Sequence, residues 1–233
     1  MVINQCSFEE EGLSPHHQIA LILAELSEAL HKKTRPNSIE IQVSVGVQFI
    51  AELSKVSALK LLVFNLVKCY YPNSNELPKI TGVMGTRYYT SNDSELNLIR
   101  QSIQAFSLIL AQVDDIQMSS FNQQEKSKRI SENIIHLLKE EARLKTLQNP
   151  IKGATTLKIK SDEVAQESWT IFQEIEKEGG YSKILSSGRI QQWIKENNDS
   201  EVQRYKDKKQ VLIGGNKYAK AVNGKIYFME KQL

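Results

Sequence analysis

Along residues 1–150, short β-prone runs alternate with long amphipathic ones. "MVINQCSF" (1–8) reads as a strand. "SPHHQIALILAELSEALHKK" (14–33) sets Ile19, Leu23, Leu26 and Leu30 at helical spacing, with Ser14 as cap and Pro15 in the first turn. "IEIQVSVG" (39–46) is a second strand. "VQFIAELSKVSALKLLVFNLVKCYY" (47–71) is a strongly apolar helix stopped by Pro72. "KITGVMG" (79–85) and "DIQMSSF" (115–121) are the third and fourth strands. Helices follow them over 93–113, capped by Asp93, and over 125–148, ended at Asn149-Pro150. Strands that alternate with long helices pair in parallel, as in barrels or doubly wound sheets.

The character changes after residue 150. "TTLKIKS" (155–161) reads as a short strand or an extended segment, with Ser161 capping a helix whose stripe is Val164, Ser168, Phe172 and Ile175. Gly179-Gly180 ends that helix. Residues 181–210 form a mostly polar helix broken near Gly188, and Asn223-Gly224 signals a hairpin in the tail. Domain bounds follow: 1–150 a βα unit, 151–219 a helical segment, 220–233 a tail.

Composition narrows the function little. The 233 residues are 40% hydrophobic and 24% charged, with net charge +3, which argues against nucleic acid as partner. Cys6 and Cys69 form no CxxC pair, which suits a reducing cytoplasm and argues against a disulfide framework or zinc cluster. No apolar run is long enough to span a membrane, and the N-terminus lacks signal-peptide organisation. There is no GxGxxG after the first strand, so a dinucleotide site is unsupported. "QVLIGGNKYA" (210–219) is no phosphate loop: a polar helix precedes it, and Tyr218 stands where Ser or Thr belongs.

A series of segments in order carries a family pattern: "SVGVQFIAELSKVSALKLL" (44–62), "NLIRQSIQAFSLILAQVDDI" (97–116), "KRISENIIHLLKEEARLKTLQNPIKG" (128–153), "EVAQESWTIFQEIEKEGGYSKILSSGRIQQWI" (163–194) and "LIGGNKYA". It resembles the methylmalonyl-CoA mutase family, adenosylcobalamin-dependent carbon-skeleton isomerases. The resemblance implies the C-terminal half of a TIM-type βα barrel, about four βα units, then a helical extension and a short C-terminal hairpin. It also makes 210–219 the close of the barrel domain, with Asn216-Lys217-Tyr218 packing back on the barrel. Four parallel strands leave two open edges, so the chain reads as a piece of a longer protein or half of an assembly.

Departures from the family pattern bear on activity. Where the family's catalytic subunit carries a Tyr-His pair, this chain has Cys6 and Ser7. The family's R-A-A-R basic pair becomes Ser57 and Lys60, and none of His16, His17, His31 and His136 lies in the Asp-x-His-x-x-Gly that ligates cobalt. These losses imply the non-catalytic small-subunit type, with no cofactor bound by this chain alone; the alternatives are one part of a split mutase contributing substrate contacts, or a truncated fragment without activity. The implied partner is a catalytic large mutase subunit or a chain supplying the N-terminal half-barrel, with acyl-CoA as a further ligand. Functional groups of barrels gather at strand C-termini, which makes Ser7, Ser44, Thr86, Arg87, Tyr89 and Ser119 the rim positions to watch. Arg87-Tyr88-Tyr89 would stack on a CoA adenine or pack on the neighbouring loop. Glu9-Glu10-Glu11 reads as a solvated loop, with one of the three acids at the barrel mouth as the alternative, His16, His17 and His136 read as surface or satisfied helix residues, and Trp169 and Trp193 as packing between the helices that follow the barrel.

Overall fold

A computed structural model describes residues 1–90, 94–122, 125–148 and 150–218. Four strands form one sheet in the order β1-β2-β3-β4: β1 (Val2–Asn4), β2 (Glu40–Val45), β3 (Lys79–Met84) and β4 (Asp115–Gln117). Every pairing is parallel. Each strand leads into helix: α1 (Cys6–Glu11) and α2 (Pro15–His31), α3 (Phe49–Tyr70), α4 (Glu95–Leu110) and α5 (Glu125–His136). Strands adjacent in space in chain order, with helical crossovers, are the βα-barrel plan opened halfway, and the sheet is not closed.

Side chains sort by strand alternation. Ile3, Ile41, Val43, Val45, Ile80 and Met84 are buried on one face and join the core with Ile19, Leu23 and Leu26 of α2 and Leu53, Leu59 and Val63 of α3. Gly82 belongs to that face because α4 comes close: a Cβ there would lie 2.3 Å from Leu108 Cδ2. The other face is polar. Asn4 Nδ2 donates to Gln42 Oε1 (2.7 Å), Thr81 Oγ1 to Glu40 Oε1 (2.7 Å), and Lys79 pairs with Asp115 (3.1 Å).

A further layer covers the helices. α6 (Thr155–Lys177) packs across α2 and α3, and α7 (Tyr181–Ser186) and α8 (Arg189–Lys206) follow. This explains why α2, with eleven buried residues between Gln18 and Leu30, is apolar nearly all round. Ser14 caps α2, accepting from the His17 N–H, with Pro15 at the first position, as its sequence predicts.

Several boundaries differ from the sequence expectation. The first strand stops at Asn4, whose Oδ1 accepts the Cys6 N–H and turns the chain into α1. The fourth ends at Gln117. Residues 155–161 are helix, not strand: α6 starts at Thr155, and Ser161 is no cap but lies within it, donating to the Leu157 carbonyl. The helix from 125 gives way to a π-turn at Leu137–Glu141 and a 3-10 turn at Leu144–Thr146. Asp93, Asn149 and the tail hairpin lie outside the described residues.

Candidate functional site

The C-terminal ends of the four strands carry the positions the sequence singles out. α1 lays its acids across them. Glu9 is 7% exposed, and Glu10 Oε1 accepts the Thr86 N–H (2.6 Å) while Oε2 accepts from Thr86 Oγ1 (3.1 Å). The solvated-loop reading of Glu9-Glu10-Glu11 is therefore corrected for Glu9, which turns inward because residues 6–11 are helix and not extended chain. Gly46 and Gly85 make room for these carboxylates: a Cβ at Gly85 would lie 3.0 Å from Glu10 Oε1 and 3.3 Å from Glu9 Oε2, and one at Gly46 would lie 2.9 Å from Glu52 Oε1. Beneath them the Lys55 ammonium, with a side chain 1% exposed, pairs with Glu52 at 2.7 Å. Burial alone would lower Lys55, but Glu52 and Glu9 outweigh it and hold the ammonium above its ordinary range. Burial pushes Glu9 up and the Cys6 thiol to about 11.

Arg87 is fixed from three sides. Nη1 donates to the Glu10 carbonyl (3.0 Å), and Nη2 to Asn198 Oδ1 (2.6 Å) and Glu201 Oε2 (2.8 Å), both on α8. Asn198 Nδ2 and Asn197 Nδ2 donate in turn to the Glu11 and Gly12 carbonyls, each at 2.8 Å. Gly12 is in the left-handed region (φ 112°), and a Cβ there would lie 2.0 Å from Asn198 Oδ1, so the α1 C-terminus and α8 meet only over a glycine.

The other rim positions are engaged within the chain. Ser44 is buried and accepts from Gln18 Nε2 at 2.9 Å. The Tyr89 hydroxyl donates to Gln104 Oε1 (3.1 Å), and burial pushes it up to about 12. Tyr88 is half-buried beside Arg87. Ser119 Oγ donates to the Met84 carbonyl (2.8 Å). Ser7 is exposed on α1. Thr86, Arg87 and Ser44 thus come together around α1, while Tyr89 and Ser119 face α4 and β3.

Sequence reasoning passed over the residues that hold this rim. Asn97, Arg100, Gln101 and Gln104 are buried at i, i+3, i+4 and i+7 of α4. Gln104 Nε2 donates to the Val45 (2.7 Å) and Gly85 (2.8 Å) carbonyls, tying the ends of β2 and β3. Gln101 donates to the Ser119 carbonyl, and Asn97 to those of Thr90 and Phe121. Arg100 Nη2 reaches the Ile213 carbonyl (2.6 Å), anchoring the Leu212–Lys217 turn. A polar stripe at helical spacing was the available signal. In that turn Gly214 takes φ 77° and Asn216 binds the Tyr205 and Gln210 carbonyls, but Tyr218 is 77% exposed, so it does not pack back on the barrel as expected. Ser57 donates to the Leu53 carbonyl, and Lys60 caps α4 through the Ala111 and Gln112 carbonyls.

The histidines do not fit a cobalt ligand. His16 pairs with Glu167 at 3.3 Å, and His17 packs on Trp193 with ring centroids 4.3 Å apart, while His31 and His136 end α2 and α5. Trp193 thus packs against α2, not only among the helices after the barrel. No cluster of metal-ligating side chains occurs among the described residues, and no described helix is long and apolar enough to cross a membrane.

Consecutive parallel βα units with polar groups gathered at the strand C-termini define a barrel-type α/β protein. The sequence model of methylmalonyl-CoA mutase matches residues 17–231, and the chain belongs to that family. It is 24% identical, over 93% of its length, to the methylmalonyl-CoA mutase small subunit of Porphyromonas gingivalis. It is 23% identical over 90% to a methylmalonyl-CoA mutase of Rhizobium meliloti, and 25% identical over 75% to the large subunit of Propionibacterium freudenreichii subsp. shermanii. It spans 38%, 32% and 25% of those relatives, respectively.

Proposed function

We propose that this chain is a non-catalytic, small-subunit-type member of the family, pairing with a catalytic mutase subunit that interconverts methylmalonyl-CoA and succinyl-CoA. The observation that carries the reading is the rim itself. Its acids are Glu9, Glu10, Glu52 and Glu201, and its cations Lys55 and Arg87 are both engaged with carboxylates. A dicarboxylate-derived acyl-CoA carries negative charge, and both buried rim cations are already committed to carboxylates of this chain, which disfavours it. Where the resemblance calls for a Tyr-His pair at the substrate, Cys6 is part of this packed rim and Ser7 faces solvent. Neither offers an imidazole to a thioester carbonyl. Adenosylcobalamin, which supplies the radical chemistry of the family, belongs on the partner in this reading, since no histidine here is placed to ligate cobalt.

The open sheet favours a second reading. Four parallel strands with a polar free face fit a barrel completed by four more, supplied elsewhere, so that the chain is one part of a split mutase contributing substrate contacts. One experiment separates the two. The purified chain is mixed with a purified mutase large subunit and separately with an N-terminal half-barrel and a cobalamin-binding chain. Light scattering detects complexes, and an isomerase assay follows. A complex with the large subunit, with no turnover from the chain itself, supports the first reading. Turnover that appears only with the half-barrel supports the second and overturns the first.

A further inference from the structure

A cavity of about 400 Å³ lies between α3 and the start of α6, within the size range of small-ligand sites. It shares no lining residue with the rim: its walls come from Ser57 on α3, the segment 151–154 and the first two turns of α6. Those walls are largely apolar. Ile151 and Leu157 line the cavity and pack against the core behind it. Ser57 and Ser161 also line it, but each hydroxyl donates to a carbonyl of its own helix, that of Leu53 or Leu157, at 2.8 Å. The charged groups of the lining, Lys152 and Lys158, are both cations and both exposed. The Lys158 contact with Asp162 joins two exposed side chains, so it is readily exchanged for another anion. α6 has no side-chain cap, and its first helical bond runs from the Lys158 N–H to the Ala154 carbonyl. The N–H groups of Thr155 and Leu157, which also line the cavity, therefore have no acceptor within the helix.

We propose that this cavity binds a small single-chain amphiphile with a carboxylate head, of the medium-chain fatty acid class. The chain lies against Ile151 and Leu157, and the head meets Lys152 and the free N–H groups of the first turn of α6. Both halves of such a ligand are needed to match the walls. A wholly polar anion would lose its hydration against Ile151, Ala154 and Leu157, and a neutral apolar molecule would leave the cations and N–H groups unanswered. The site stands apart from the rim, so it holds or fails whether or not the chain pairs with a mutase subunit.

Calorimetric titration of the full chain with octanoate tests it. Saturable binding at one site per chain is expected with Kd below about 1 mM, and binding of octylamine about tenfold weaker or less. Lys152→Glu should weaken octanoate by about threefold or more. Ser57→Phe fills the cavity from α3 and should abolish binding. Octanoyl-CoA, whose chain ends in a thioester, should not displace octanoate. Absence of saturable binding, equal affinity for octylamine, unchanged affinity in Ser57→Phe or in Lys152→Glu, or displacement by octanoyl-CoA overturns the assignment. Amide chemical shifts of the unsubstituted chain give an independent reading should Ser57→Phe not fold. Octanoate should move those of residues 151–161 and of Ser57, and shifts confined to other segments would overturn the proposal.

Discussion

Replacing Arg87 by Ala tests what holds α8 to the rim. The Arg87 and Glu201 side chains are 4% and 5% exposed, and their contact is 2.8 Å. The substitution removes three hydrogen bonds and leaves the Glu201 carboxylate buried without its partner. Breaking a buried pair from one side costs about 3–5 kcal/mol, because the remaining charge keeps its desolvation penalty. A domain of this size has about 5–15 kcal/mol to lose, so the variant should remain folded but unfold at clearly lower urea. Replacing both residues with Leu removes the unpaired charge, so the double variant should recover most of the loss. The coupling between the two sites should therefore be about 2 kcal/mol or more. Urea denaturation of Arg87→Ala and of the closed cycle of parent, Arg87→Leu, Glu201→Leu and the Leu/Leu double, followed by circular dichroism, measures it. A single-variant loss below about 1 kcal/mol, or losses that simply add, would refute the reasoning.

Three further outcomes follow from the structure. Gly82→Val should destabilise by about 2 kcal/mol or more, since Leu108 would have to move off β3; a thermal melt unchanged from the parent would contradict that packing. His17 is lowered to about 4, first by burial and then by His16 and Arg189, so the folded chain favours the neutral ring. Stability should be full above about pH 6.5 and fall as pH drops toward 4, by about 1–2 kcal/mol after allowing for its partial exposure; His17→Phe should flatten that part of the profile. Gln104→Leu should cost about 1–2 kcal/mol by leaving the Gly85 carbonyl without its donor, while the Val45 carbonyl keeps the Gly85 N–H, and loosened exchange at the ends of β2 and β3 would report it.

Much of the architecture is legible in the sequence because its signals are local. The stripe Ile19-Leu23-Leu26-Leu30, the Ser14 cap and the β-rich runs before Gly46 and Gly85 identify α2, β2 and β3 without tertiary information. What escaped depends on distant partners. Residues 6–11 are helix because Glu9 and Glu10 find room beside Gly85 and their C-terminus meets Asn197 and Asn198, nearly the whole chain away. "TTLKIK" has strand-like composition, but packing on α2 and α3 continues it into α6. Of the rim candidates named from the barrel rule, Ser44, Thr86 and Arg87 lie around α1 in the structure, but their partners were not legible. Glu201 and Asn198 lie on a helix that reads as polar surface, and the α4 stripe of Asn97, Arg100, Gln101 and Gln104 was hidden among ordinary amphipathic positions.

The most direct test of the central claim is turnover of methylmalonyl-CoA by the purified chain supplied with adenosylcobalamin, measured alone and again with a mutase large subunit present. The account predicts no isomerisation by the chain alone, and a stable complex when the large subunit is added. Succinyl-CoA formed by the chain alone would contradict it.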